Sequence, residues 1–427
     1  MIEIELPGLA ETVYLYTHES GLRCYFWRNE KVNGTHMTLS VKYGSIHTDF
    51  KIGNKKYHVP HGVAHFLEHI KFNETEDFTA HDYFRKSGAD VNAFTTFDFT
   101  SYLLFTTVNQ KENLKHLIDF VYNPFFTKKI IQKEKSIIVE EANMVNDDVA
   151  ATSYYQHLKN IFNDYKYKEI ITGEPDDIKA ISLEDVLLVY RSFYHPQNMF
   201  LCVTGNVNPY EMAKVVDEAL ENKEFEEFVQ PTIIPVKEAK DVVKEYDQVF
   251  VNIMNARVRY AVKLPKSKFK DIDDVTLRMI FALILNMNFG STSDFKEELL
   301  AKDLITNLYT NVDFFDEYIV LLIVAETEYS DEVTKRIEEQ LNHLDVDEAN
   351  FNRKMKANIA AMILEYDDIE TVNSRIQENI VHYDEFISDY FDRFKSITHA
   401  MLQDVSSRVS TQNKAILDIK PKKNNHN

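Results

Sequence analysis

The chain has 427 residues, 44% of them hydrophobic and 27% charged, with a formal net charge of −20; this length exceeds what a single core sustains and predicts two or more domains in a soluble, globular protein. The acidic excess disfavours nucleic acid and anionic membrane surfaces and favours cationic partners, although solubility alone accounts for such a charge. Two cysteines, Cys24 and Cys202, exclude a disulfide framework; with no signal-peptide pattern at the start and no apolar run long enough for a bilayer, the sequence predicts a cytoplasmic protein.

Residues 12–50 alternate in the manner of strands, in Val13–Tyr16, Arg23–Trp27 and Met37–Tyr43, the last closed by Gly44-Ser45. A helix is expected over 60–73, and it carries His65-Phe-Leu-Glu68-His69. Four residues apart, His65 and His69 lie on one helix face, so their rings can converge on one cation. Neutral imidazole suits zinc, and Glu68 beside an open zinc position can take a proton from metal-bound water. The order His-x-x-Glu-His is the inverzincin signature. The pair alone does not decide for a metal, because this spacing arises by chance on helices and His58 and His61 crowd the same segment.

A short helix at 79–87 ends on Gly88, a residue suited to the left-handed position after a helix. Strands are expected at Val91–Thr95 and Thr100–Val108, then helices at 110–121, 127–146 and 150–162. A helix at 185–193, a break at His195-Pro196 and an apolar strand Met199–Gly205 complete the half. Strands and helices in runs give an α+β layering. Zinc needs a third protein ligand, and the helix at 127–146 offers Glu134, Glu140 and Glu141. Glu134 and Glu141 share a face two turns apart, but composition alone makes that face an ordinary solvated one.

Residues 222–246, with Pro231, Pro235 and mixed Lys and Glu, read as a linker between domains at 1–221 and 247–419, and 420–427 as a disordered polar tail. Beyond the linker the pattern returns. At an offset of 217, Val41-Lys-Tyr43 meets Val258-Arg-Tyr260 and Phe72 meets Phe289, and helices at 330–343 and 347–366 repeat the order of those at 110–121 and 127–146. His65, Glu68 and His69 then fall on Ala282, Leu285 and Asn286, so a duplicated second domain keeps the frame without metal ligands.

His65-Phe-Leu-Glu-His69, Gly88-Ala89-x-x-Asn92-Ala93-x-Thr95 and the Glu134/Glu141 pair together resemble the pitrilysin/insulinase (M16) family of zinc peptidases, in its mitochondrial-processing-peptidase-like (M16B) branch. Tyr194-His195-Pro196-x-Asn198-Met199 and Val203-Thr-Gly-Asn206 are similar to Gram-positive members of that branch. The likeness covers most of 12–210 and is general over 250–419. It implies two homologous α/β-sandwich domains and one zinc ion per chain held by His65, His69 and Glu141. It also implies Glu68 as general base, Glu134 as a supporting carboxylate, and Asn92 and Ala93 on an edge strand along which substrate peptide lies; as a residue type, Asn92 is equally suited to a turn.

Active members of the family carry an Arg and, seven residues later, a Tyr, where this chain has Leu299 and Thr306. Either Tyr309 is a shifted substitute, or the pair comes from an M16-like partner subunit; the second is the expectation here. The resemblance further implies a chamber admitting small or unfolded peptides, and either removal of a leader from a ribosomally made peptide or general peptide turnover. Rival readings are a non-catalytic scaffold or binding subunit, and a structural metal site closed by His61 or Glu134.

Overall fold

The computed structural model describes residues 1–422. Its contacts divide into two compact units, one of Met1–Met144, Glu169–Pro235 and Ile363–Asp389, the other of Val145–Lys168, Val236–Met362 and the chain from Tyr390 onward.

The strands of the first unit are β1 (Ile2–Leu6), β2 (Glu11–Thr17), β3 (Arg23–Arg28), β4 (Thr35–Val41), β5 (Asp49–Ile52), β6 (Lys55–His58), β7 (Ala89–Thr95), β8 (Thr100–Thr106), β9 (Met199–Gly205) and β10 (Thr232–Ile233). Seven form one sheet in the order β1-β2-β3-β9-β4-β8-β7, and β10-β5-β6 form a small second sheet. Around them run α1 (Val63–Lys71), α2 (Ala80–Ser87), α3 (Gln110–Tyr122) and α4 (Lys128–Asp147). Every residue of β4 and β9 is buried, because the sheet is covered on both faces. One face packs Met37, Leu39, Leu201 and Val203 against Phe66, Leu67 and Leu117. The other is covered by the helix Ile369–Tyr383, whose Val372, Ile376 and Ile380 meet Tyr25, Trp27 and Cys202.

That second face is where the alternation in Met37-Thr-Leu-Ser-Val41 misleads. Thr38 and Ser40 stand where a half-exposed strand would show water its polar side, yet they are buried. Thr38 donates to Asn373 Oδ1 (2.8 Å), and Ser40 and Ser101 both donate to Gln377 Oε1 (2.9 and 3.0 Å). The buried hydroxyls are therefore satisfied by a helix 276 to 337 residues away in the chain.

The second unit holds β11 (Tyr246–Val251), β12 (Arg257–Pro265), β13 (Asn307–Phe314), β14 (Tyr318–Glu326) and β15 (Lys414–Pro421) in the order β11-β15-β12-β14-β13. The order and sense of pairing repeat β3-β9-β4-β8-β7: one parallel pair, then three antiparallel ones. The two mixed α/β units thus share a sheet plan, as the expected duplication requires. Here α5 (Val149–Ile161) packs on β15 and β12, matching Ile369–Tyr383 on β9 and β4. Each sheet is covered by a helix drawn from the other half of the chain.

Other differences from the sequence reading are local. The hairpin β5-β6 lies largely in 51–59, a segment to which the sequence assigns no element, and the 222–246 segment supplies β10 and the first residue of β11. Lys420 and Pro421 belong to β15, paired with Phe250 and Val251, while 423–427 lie outside the described residues. The stretch Asp274–Ala301 reaches the length and mean hydropathy (1.2) of a bilayer-crossing helix, which the sequence reading did not expect. It includes the core helix Asp274–Phe289 of the second unit, and 61% of its apolar 18-residue window is buried. Cys24 and Cys202 are both buried and free, and pack into different core clusters.

Candidate metal and active site

Helix α1 begins at Gly62, in the left-handed region at φ +81°, where a Cβ would lie 2.3 Å from the Thr172 carbonyl oxygen. Gly173, at φ +78°, has equally little room against the His61 carbonyl (2.9 Å). Two facing glycines thus let the 170–174 loop press against the start of the helix, at positions a side chain would strain. At the other end the buried Lys71 donates to the carbonyls of Phe120 and Asn123, and burial pulls its pKa down to about 7. Between these anchors Phe66, Leu67 and Ile70 enter the core, which turns His65, Glu68 and His69 toward α4 and β7.

Helix α4 supplies the carboxylates. Glu141 Oε1 lies 3.5 Å from His65 Nε2, and Glu141 Oε2 lies 3.2 Å from His69 Nε2. Two ligands about 2.0–2.1 Å from one tetrahedral zinc ion must stand about 3.3–3.4 Å apart, so these separations fit a shared ion. All three donor atoms lie within 4.8 Å of one another, and they form the one such group among the described residues. Glu134 Oε1 contacts the far nitrogen of the same ring, His69 Nδ1, at 3.3 Å. It therefore orients the imidazole from behind, in the position of an outer-shell carboxylate. A closed four-ligand site using Glu134 is not what these side chains form. His65 Nδ1 is buried without a hydrogen-bond partner.

The electrostatics suit a cation. Burial of the His69 ring opposes its charge, but Glu134 and Glu141, with Glu68 nearby, outweigh that and lift its pKa to about 10. Hydrogen bonds from His65 and His69 hold the Glu141 carboxyl far below the usual range. Glu68, 7% exposed, accepts a 2.6 Å hydrogen bond at Oε2 from Thr95 Oγ1. The sequence places Thr95 in the motif after Asn92-Ala93, but nothing in it pairs that hydroxyl with Glu68.

Comparison with known proteins gives relatives among zinc peptidases. The insulinase (peptidase family M16) profile matches residues 31–174, and the M16 inactive-domain profile matches 180–358. YmfH of Bacillus subtilis, an uncharacterized zinc protease by name, is 34% identical over 318 residues, 74% of each chain. The chain belongs to the insulinase family of peptidases. Zinc protease PqqE of Helicobacter pylori is 26% identical over 304 residues, 67% of this chain and 66% of that one. In fold, the crystal structure of an M16-like peptidase from Alicyclobacillus acidocaldarius superposes with a TM-score of 0.91 at 24% identity, covering 99% of this chain and 100% of that one.

Within this M16 chain, Asn92 and Ala93 sit on β7, which pairs on one side with β8 and ends the sheet. The Ala93 N–H is taken by the Asn92 Oδ1 (2.9 Å), so Asn92 caps its own strand edge. In the second unit, Asn286, the counterpart of His69, accepts a hydrogen bond from the buried Lys354 Nζ (2.7 Å). An ammonium there takes the part of a cation, and Ala282, Leu285 and Asn286 line an open groove beside β13. Leu299 is 1% exposed in the core, and Thr306 Oγ1 donates to Glu326 (3.2 Å). Tyr309, half exposed on β13, stands close enough to Arg259 on β12 to favour the guanidinium charge, an Arg–Tyr pair with a spacing the sequence pattern does not suggest.

Proposed function

We propose that this chain is a zinc-dependent endopeptidase for small or unfolded peptides, working in the cytoplasm. His65, His69 and Glu141 hold the metal, Glu68 is the general base, and Glu134 positions His69. The observation that carries this reading is the pair of Glu141 contacts at 3.5 and 3.2 Å, a donor geometry a single zinc ion would bridge. A zinc ion held by His65, His69 and Glu141 would supply Lewis-acid polarisation of a scissile carbonyl and a more acidic water. Glu68 takes the proton from the attacking water and returns it to the leaving amine. Extended peptide adds to the free edge of β7 at Asn92 and Ala93 by main-chain hydrogen bonds, which makes selection weakly dependent on sequence. For this to happen the Asn92 carboxamide must release the Ala93 N–H. The net charge of −20 favours cationic peptides.

The deciding experiment is Glu68→Gln. It should keep one zinc per chain and lose peptide cleavage; a variant that cleaves at the parental rate rejects the assignment. Burial of Leu299 supports a chain that draws its substrate-facing Arg and Tyr from an M16-like partner subunit of the M16B branch, in a heterodimer that removes a leader from a ribosomally made peptide. The Arg259–Tyr309 contact favours a second reading, a chain that is sufficient alone and serves general peptide turnover. Full turnover by rigorously purified chain selects the second; activity that rises on adding a metal-less homologue selects the first.

A further inference from the structure

We infer that Thr95 is the positioning residue of Glu68: it tethers one carboxylate oxygen so that the other faces the attacking water. The inference rests on the peptidase reading above and adds a residue to it. Glu68 is buried within α1, and the bond from Thr95 Oγ1 to its Oε2 (2.6 Å) is the one hydrogen bond it receives among the described residues. The last torsion of a glutamate has broad, shallow wells, so the plane of this carboxylate is set by whatever donor holds it. A short bond from a hydroxyl to an ionised carboxylate is strong enough to do so.

The donor is itself fixed. Thr95 ends β7 opposite Thr100 of β8, and its branched side chain has few rotamers. The turn that follows is clamped by Thr96, whose N–H donates to the Phe99 carbonyl (2.8 Å) and whose Oγ1 accepts from the Phe99 and Asp98 N–H groups (3.1 and 3.2 Å). Thr100 Oγ1 in turn donates to the Tyr43 carbonyl (3.0 Å) and joins that end of the hairpin to the chain after β4. The tether therefore runs from a rigid strand end to the base. That strand also carries Asn92 and Ala93, so peptide seating and base orientation share one element, two to three residues apart.

The test compares zinc-loaded parent, Thr95→Val and Thr95→Ser on an unstructured fluorogenic peptide. Valine keeps the branched shape and removes the donor; serine keeps the donor and trims a methyl. Thr95→Val should lower kcat about 10- to 100-fold with KM and zinc affinity within about twofold of the parent, and Thr95→Ser should recover most of the loss. Parental kcat in the valine variant, equal loss in both variants, or loss that follows released zinc would each overturn the inference. Should the zinc-loaded parent itself cleave nothing, the peptidase reading fails separately. The tether is then judged from crystals of Thr95→Val: a turned or split Glu68 carboxylate supports it, and an unmoved one overturns it.

Discussion

Glu134 shows how much of a metal site lies beyond its ligands. Its Oε1 stands 3.3 Å from His69 Nδ1, and its side chain is 13% exposed, so the contact is partly shielded from solvent. When His69 gives its Nε2 to a metal, the proton moves to Nδ1 and the contact becomes a hydrogen bond to a charged acceptor. Such bonds contribute about 1.5–3 kcal/mol, close to the 10- to 100-fold in metal affinity typical of outer-shell partners. Glu134→Ala should therefore weaken zinc binding by about 10- to 100-fold, with Glu134→Gln in between because an amide oxygen still accepts. Glu134 also stabilises the imidazolium that a metal must displace, so proton competition weakens as pH rises toward and past 10, and chelator competition is best run at one pH as high in that range as both proteins stay folded. Zinc affinity in Glu134→Ala within about twofold of the parent at that pH would refute the orienting role.

Two further predictions concern the second unit. Lys263 and Glu238 form an ion pair with both side chains fully buried (2.8 Å); Glu238 also accepts the N–H groups of Asn163, Asp164 and Tyr165, and Lys263 donates to the Ile161 and Ala239 carbonyls. Lys263→Met leaves that carboxylate uncompensated and should cost about 3–5 kcal/mol, read as lost hydrogen-exchange protection at 163–165, with part regained on adding Glu238→Gln; a loss below about 1 kcal/mol refutes it. His157 donates from Nε2 to the Ala415 carbonyl (3.0 Å) and accepts from Arg259 Nε (3.4 Å), and burial, with Arg259 beside it, pushes its pKa from 6.5 down to about 3. The folded state thus binds this proton less tightly than the unfolded chain, so the contribution is full above pH 6.5 and is lost as pH falls toward 3, by up to about 1.4 kcal/mol per pH unit. His157→Gln should flatten that acid limb in denaturant titrations, and an unchanged slope would count against it.

The candidate donors were legible as two shared helix faces because helix geometry is local. A spacing of four puts His65 and His69 on one face, and a spacing of seven does the same for Glu134 and Glu141, whatever surrounds them. The spacing does not tell which of two glutamates meets the metal-facing nitrogens and which meets Nδ1. That was supplied by family resemblance, and the contacts agree with it. Thr95 and the Gly62–Gly173 approach were not legible, since each depends on two segments meeting across the fold. The polar alternation in β4 was read correctly as a strand and gave no sign of Asn373 and Gln377 above it.

The order of residues in this chain determined most of its helices and strands and the helix faces that carry the candidate metal donors, because those follow from periodicity within a few turns; its duplicated plan showed in the order of elements at an offset of 217. Tertiary structure alone decided that Thr95 holds Glu68 and that each sheet is covered by a helix from the other half, and it supplied the contacts behind the choice of Glu141 over Glu134. These depend on contacts between segments tens to hundreds of residues apart, and in a packed interior such partners are chosen by shape and by the need to satisfy buried polar groups.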